Sequence, residues 1–189
     1  MNKKTNNSST RINAHTDLSV EVSVKTEDFL MNLLKSEKSP LLLILDGIQD
    51  PHNLGVCLRT ANAAGVLAVV APKDRAVSLT ETVRLKACGA AEHTPFVQVT
   101  NLRSTLDKLK KMDFWIVGTS DKGKQSLYDI DLTGPLAIVL GAEGKGLRRL
   151  TTETCDFLAT LPVHGEVDCL NVAVATGVCL YEALRQRRR

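Results

Sequence analysis

Six short apolar runs punctuate the chain: LLLIL (41–45), VLAVVA (66–71), PFVQV (95–99), FWIVG (114–118), LAIVL (136–140) and FLATL (157–161). None of them alternates strictly between apolar and polar residues. Continuous runs of this length read as strands buried on both faces, the mark of a largely parallel sheet. The segments between them carry helix signals. Thr26 precedes Glu27 and Asp28, and Phe29, Leu30, Leu33 and Leu34 form one stripe, which predicts a short capped helix over 26–38. Further helices fit 53–64, where Gly65 stops the pattern, then about 79–88, 102–111, about 147–155 and 171–187. The expected class is α/β, a mostly parallel sheet sandwiched by helices.

Residues 1–24 are rich in Asn, Ser, Thr and Lys and have no apolar period, so they read as a flexible lead-in. Residues 25–189 then form one domain, and a hydrophobic content of 43% supports a sizeable core. Its last helix is apolar nearly all round, through Val172, Val174, Ala175, Val178, Cys179 and Leu180. Such a helix must be covered, and a second copy of the chain is a natural cover, so a homodimer is expected. Thr176, Gly177 and Glu182 interrupt that stretch, which is too short for a membrane span. The five cysteines lack CxxC or Cys/His spacing, which points to free thiols in a reducing cytoplasm and to no metal site.

The net charge of +3 is unevenly spread. Arg185, Arg187, Arg188 and Arg189 close the chain, and Arg103, Lys108, Lys110 and Lys111 cluster in another segment. Such clusters suit a polyanion but also occur on solvated helix faces.

Candidate chemistry gathers at three strand-to-helix corners, each placing backbone amides beside polar side chains. In the first, Asp50-Pro51-His52-Asn53 follows a strand; Asn53 suits a helix cap and Gly55 permits a close approach. Arg59 lies six residues beyond Asn53, about 240° around a helix, so spacing alone does not bring the two together. It is either functional or a buried Arg paired with Asp46 or Asp50. In the second corner Gly141, Gly144 and Gly146 surround Glu143, without Walker A or GxGxxG spacing. That loop either wraps a ligand or simply turns tightly. In the third, Leu161-Pro162 ends a strand and Leu170-Asn171 enters the last helix, where Asn171 is also an ordinary cap. His52 and His164 stand beside these corners with no metal-binding pattern.

These residues resemble the SpoU, or TrmH-like, RNA 2′-O-methyltransferases of the SPOUT class. Asp50, Pro51, Asn53, Gly55, Arg59, Thr60 and Ala61 match the first motif of that family; Gly141, Glu143 and Gly146 match the second; Leu161, Pro162, Leu170, Asn171 and Val172 match the third. The likeness covers 40–186. It implies a C-terminal deep trefoil knot, a homodimer, and S-adenosylmethionine contacted at Thr119, Gly141, Leu161 and Leu170. It also implies catalytic roles for Asn53, Arg59, Glu143 and Asn171, Arg59 activating the ribose hydroxyl or anchoring the adjacent phosphate. Arg is a poor base, which favours the anchor. The implied substrate is RNA, a guanosine ribose of large-subunit ribosomal RNA before others. A transfer-RNA enzyme and a catalytically silent RNA-binding relative stay open. Cys169 and Ala173 stand where relatives often carry Ser, and a thiol is the weaker hydrogen-bonding group. Close relatives also carry a separate N-terminal RNA-binding domain, whereas about 39 residues precede the first strand here.

Overall fold

The computed structural model describes residues 21–166 and 169–188. Seven strands, β1 (Leu41–Asp46), β2 (Ala68–Pro72), β3 (Phe96–Val99), β4 (Trp115–Thr119), β5 (Gln125–Ser126), β6 (Leu136–Gly141) and β7 (Phe157–Thr160), form one sheet. Their order is β3-β2-β1-β6-β4-β7-β5, and every pairing is parallel. The helices are α1 (Glu27–Leu34), α2 (Pro51–Ala63), α3 (Glu81–Ala87), α4 (Ala90–His93), α5 (Leu102–Lys110), α6 (Arg149–Thr154) and α7 (Val172–Arg187).

The apolar runs hide an alternation that only the sheet reveals. Leu43 and Leu45 of β1, with Ile138 and Leu140 of β6, join the core that also holds residues of α2 and α7. Leu42 and Ile44, with Ala137 and Val139, join the opposite core, which holds residues of α1 and α5. Successive side chains point to opposite faces, and here both faces are apolar. The sandwich follows directly from those two strands.

Differences from the sequence reading have local causes. β5 went unpredicted because its two residues are polar and it pairs only with β7 at the edge. The helix expected over 79–88 ends at Ala87, because Cys88 and Gly89 are both left-handed, at φ of 50° and 88°, and α4 follows. The helix expected over 26–38 ends at Leu34. The first 20 residues of the expected lead-in lie outside the described residues; Val22 and Val24 pack against the core, and Lys25 bridges to Val97 of β3.

Helix α2 starts earlier than expected. Asp50, not Asn53, is its cap and accepts from the His52 amide at 3.0 Å. Pro51 sits in the first turn, where its fixed φ suits a helix and its missing N–H costs nothing. Asn53 is therefore one turn inside and free to reach elsewhere. The last helix is also less uniformly apolar than it reads. Glu182 is buried, and it accepts from Arg185 Nε and Nη2 at 2.7 Å each and from Gln186 Nε2 at 2.8 Å.

Candidate active site at the carboxyl edge of the sheet

Parallel strands end together, so the loops after β1, β4, β6 and β7 share one edge, where α/β folds bind ligands. Asp46 is in register with Gly141, and Thr119 with Ala159 just before the third corner.

The second corner is tightly wound. Gly146 donates its amide to Ala142 O at 2.8 Å, and Gly144 and Gly146 adopt φ of 70° and 62°, which glycine accepts without strain. A Cβ at Gly141 would lie 2.1 Å from the carbonyl carbon of Gly146 and 2.4 Å from Leu147 N. The space beside Gly141 thus belongs to the backbone of its own loop. Gly141→Val is accordingly expected to lower the thermal midpoint together with cofactor affinity, and a melting curve run beside calorimetry checks this. Gly55 meets a similar limit, since its Cβ would approach Val83 O of α3 to 2.7 Å.

A buried acid fastens the loop. Asp46 is 1% exposed. Its Oδ2 accepts the Arg148 amide at 2.9 Å, while Oδ1 accepts Arg148 Nε at 2.5 Å and pairs with Nη2. Breaking such a pair leaves a buried charge, at a cost of about 3 kcal/mol. This clasp was missed in the sequence, although an acid closing an apolar strand was a usable signal.

Three side chains, one from each corner, meet above this clasp. Glu143 Oε1 accepts from Asn53 Nδ2 at 3.3 Å, from Asn171 Nδ2 at 2.5 Å and from the Val172 amide at 3.4 Å. Asn171 Nδ2 also lies 3.1 Å from Asn53 Oδ1. Asn171 is at once the ordinary cap of α7, its Oδ1 accepting from the Ala173 amide at 2.9 Å, and a member of the cluster. The Glu143 carboxylate faces the amino end of a 16-residue helix, which favours its charge. Beside the cluster lies an open cleft of about 320 Å³, lined by Asn53, Glu143, Val172 and the loops after β1 and β2. That volume accommodates a nucleoside.

Arg59 stands apart. It is exposed, and its Nη1 lies 3.5 Å from Cys88 Sγ. It makes no ion pair among the described residues, because Asp46 is taken by Arg148 and Asp50 by the α2 amide. The alternative of a buried, paired Arg59 is excluded, and its head is available to an external anion.

The residues expected to hold the cofactor line a different part of the edge. Thr119 Oγ1 donates to Val139 O at 3.4 Å, Leu161 is half-buried, and Leu170 and Val163 are 38% and 40% exposed. Uncovered apolar side chains on segments without helix or strand pairing suit an adenine ring and its polar edge. That chemistry fits S-adenosylmethionine. Among the thiols, burial pushes Cys57 up to about 11 and Cys155 up to about 12, so both stay protonated at neutral pH. Cys169 is exposed. Among the described residues no group of three or more His, Cys, Asp or Glu converges.

The pattern of the SpoU rRNA Methylase family matches residues 40–181. The chain belongs to that family. It is 61% identical over 168 residues to the 23S rRNA (guanosine-2'-O-)-methyltransferase RlmB of Coxiella burnetii, covering 88% of this chain and 67% of that protein. The namesake in Pseudomonas putida is 60% identical over 156 residues, covering 82% and 63% respectively. The chain thus spans about two thirds of the length of these relatives. Among solved structures, the SpoU methyltransferase AviRb from Streptomyces viridochromogenes, in complex with the cofactor AdoMet, superposes with a TM-score of 0.78 at 26% identity. The match covers 84% of this chain and 62% of that one. An AdoMet-bound rRNA methyltransferase from Sinorhizobium meliloti matches at 0.74 and 27%, covering 79% and 57%.

Proposed function

We propose that this chain transfers a methyl group from S-adenosylmethionine to a ribose 2′-hydroxyl in RNA, a guanosine of large-subunit ribosomal RNA being the target. The observation that carries the reading is the meeting of Asn53, Glu143 and Asn171 on one carboxylate oxygen beside a nucleoside-sized cleft. The target comes from the names of the relatives at about 60% identity. Bound S-adenosylmethionine supplies a methyl already activated on sulfonium. The protein's own share is positioning, which can account for most of the barrier reduction. Glu143 fixes both Asn side chains and the start of α7 in one register. Asn53 presents an amide to the nucleotide. Arg59 binds the phosphate next to the reacting hydroxyl through its planar fork and so orients that hydroxyl. Thr119, Gly141, Leu161 and Leu170 hold the cofactor. Calorimetry with S-adenosylmethionine tests this against a silent RNA-binding relative: binding at micromolar concentration supports the enzyme, and no binding to folded protein overturns it.

The enzyme works in the cytoplasm, where ribosomal RNA is found, and among the described residues no helix is long and apolar enough to cross a membrane. Its C-terminal part forms the trefoil knot. Supporting this, β6 inserts between β1 and β4, β7 lies beyond β4, and α7 returns to pack on α2.

The active form is a homodimer joined through α2 and α7. Val56 of α2 is 41% exposed, while Val174 and Tyr181 of α7 are 54% and 51% exposed, and half-buried Val178 lies on the same stripe as these two. At Gly177 a Cβ would meet Thr60 Cγ2 at 3.8 Å, and nothing else among the described residues closes over that point. A glycine in mid-helix costs roughly 1 kcal/mol relative to Ala, which close packing of a second helix would offset. Val178→Glu is expected to yield monomer with activity reduced in parallel, as sedimentation and turnover would register.

A further inference from the structure

Three carboxylates line the cleft beside Glu143, and each accepts at least one internal hydrogen bond. Asp46 is held by Arg148, Asp50 by the His52 amide, and Glu143 by Asn53, Asn171 and the Val172 amide. The cations on the same walls are differently placed. Arg75, from the loop after β2, and Lys145, from the loop after β6, are both exposed and make no ion pair among the described residues. Arg148 closes the loop after β6, its head paired with Asp46 and its side chain 42% exposed. The lining balances three acids against three cations, but the acids turn to internal donors, whereas Arg75 and Lys145 carry their charge on exposed side chains.

The placement of Arg75 is held from both sides. Lys73 N donates to Val99 O and Val77 N to Ile48 O, at 2.9 Å each, so the loop is tied to β3 and to the wall of the cleft. Within it Arg75 takes φ of 58°, a left-handed conformation that disfavours any residue with a Cβ. Strain of this kind survives only where the surroundings impose it.

Resting on the proposed RNA-methylating reading, the geometry points to Arg75 and Lys145 as a phosphate grip: from the loops after β2 and β6 they bind backbone phosphates of the RNA strand flanking the target nucleotide. Each lost phosphate contact on a single strand lowers the slope of log affinity against log salt by about 0.7.

The test uses the full chain and a short single-stranded RNA whose sequence is that of the methylated site, titrated over a range of salt concentrations. Arg75→Ala with Lys145→Ala is expected to weaken binding on the order of 10-fold near physiological salt and to flatten the slope by about 1.4. Lys35→Ala with Lys38→Ala, two exposed cations preceding β1 at the opposite edge of the sheet, should leave the slope unchanged. S-adenosylmethionine affinity should be the same in all three proteins. A slope equal to that of the wild type in the Arg75/Lys145 variant overturns the grip, even where the wild type methylates RNA. Loss of S-adenosylmethionine affinity in that variant also overturns it, assigning the cations to the cofactor instead. Absence of methyl transfer by the wild type, with RNA binding retained, refutes the underlying reading and leaves the salt slopes to judge the grip alone.

Discussion

Glu143→Ala is expected to reduce methyl transfer by roughly 10²-fold or more while the protein stays folded. One oxygen of this carboxylate holds two Asn side chains and the first amide of α7. Without it only their direct 3.1 Å contact relates Asn53 to Asn171, and misplacements of about 1 Å cost around 10² in rate. The stability loss should be small, about 1 kcal/mol, because Glu143 is exposed and water can replace it as acceptor. Glu143→Gln should fall between, since it retains one acceptor oxygen but loses the charge that faces the helix. Turnover measured beside thermal melts separates the effects. A variant inactive only in proportion to its unfolded fraction would reduce Glu143 to a structural tie.

Arg59→Ala is expected to cut turnover by about 10²- to 10³-fold, the range seen when one preorganised charge-stabilising group is removed. The melting curve should hardly move, because Arg59 is exposed and makes no ion pair among the described residues, and such surface changes stay within about 0.5 kcal/mol. S-adenosylmethionine affinity should also be retained. Arg59→Lys should recover little, because an ammonium cannot bind phosphate in a bidentate manner. A marked fall in thermal midpoint would instead assign Arg59 to the scaffold.

The sheet was legible because its strands are buried on both faces. LLLIL and LAIVL could hardly be anything else once Pro40 and Gly141 bounded them. Strand order was not legible, since nothing local in LAIVL says that it inserts beside β1 rather than following β5 outward. Asn53, Glu143 and Asn171 stood out by their motifs, yet their meeting depends on contacts 90 and 118 residues apart. The cap of α2 was misassigned to Asn53 because Asp50 and Asn53 are both good caps; Pro51 decides between them through its fixed φ. The sequence left the glycine loop open between wrapping a ligand and turning tightly; beside Gly141 the loop's own backbone fills the space. Asp46 was read as a possible partner of Arg59, whereas its partner is Arg148, 102 residues away.

The most direct test of the central claim is to incubate the purified chain with isotope-labelled S-adenosylmethionine and large-subunit ribosomal RNA from a strain lacking the protein, then digest the RNA to nucleosides for mass analysis. The account predicts label on the 2′-oxygen of guanosine and its disappearance with Arg59→Ala. Label on a base, or no label transferred by a protein that binds S-adenosylmethionine and ribosomal RNA, would contradict it.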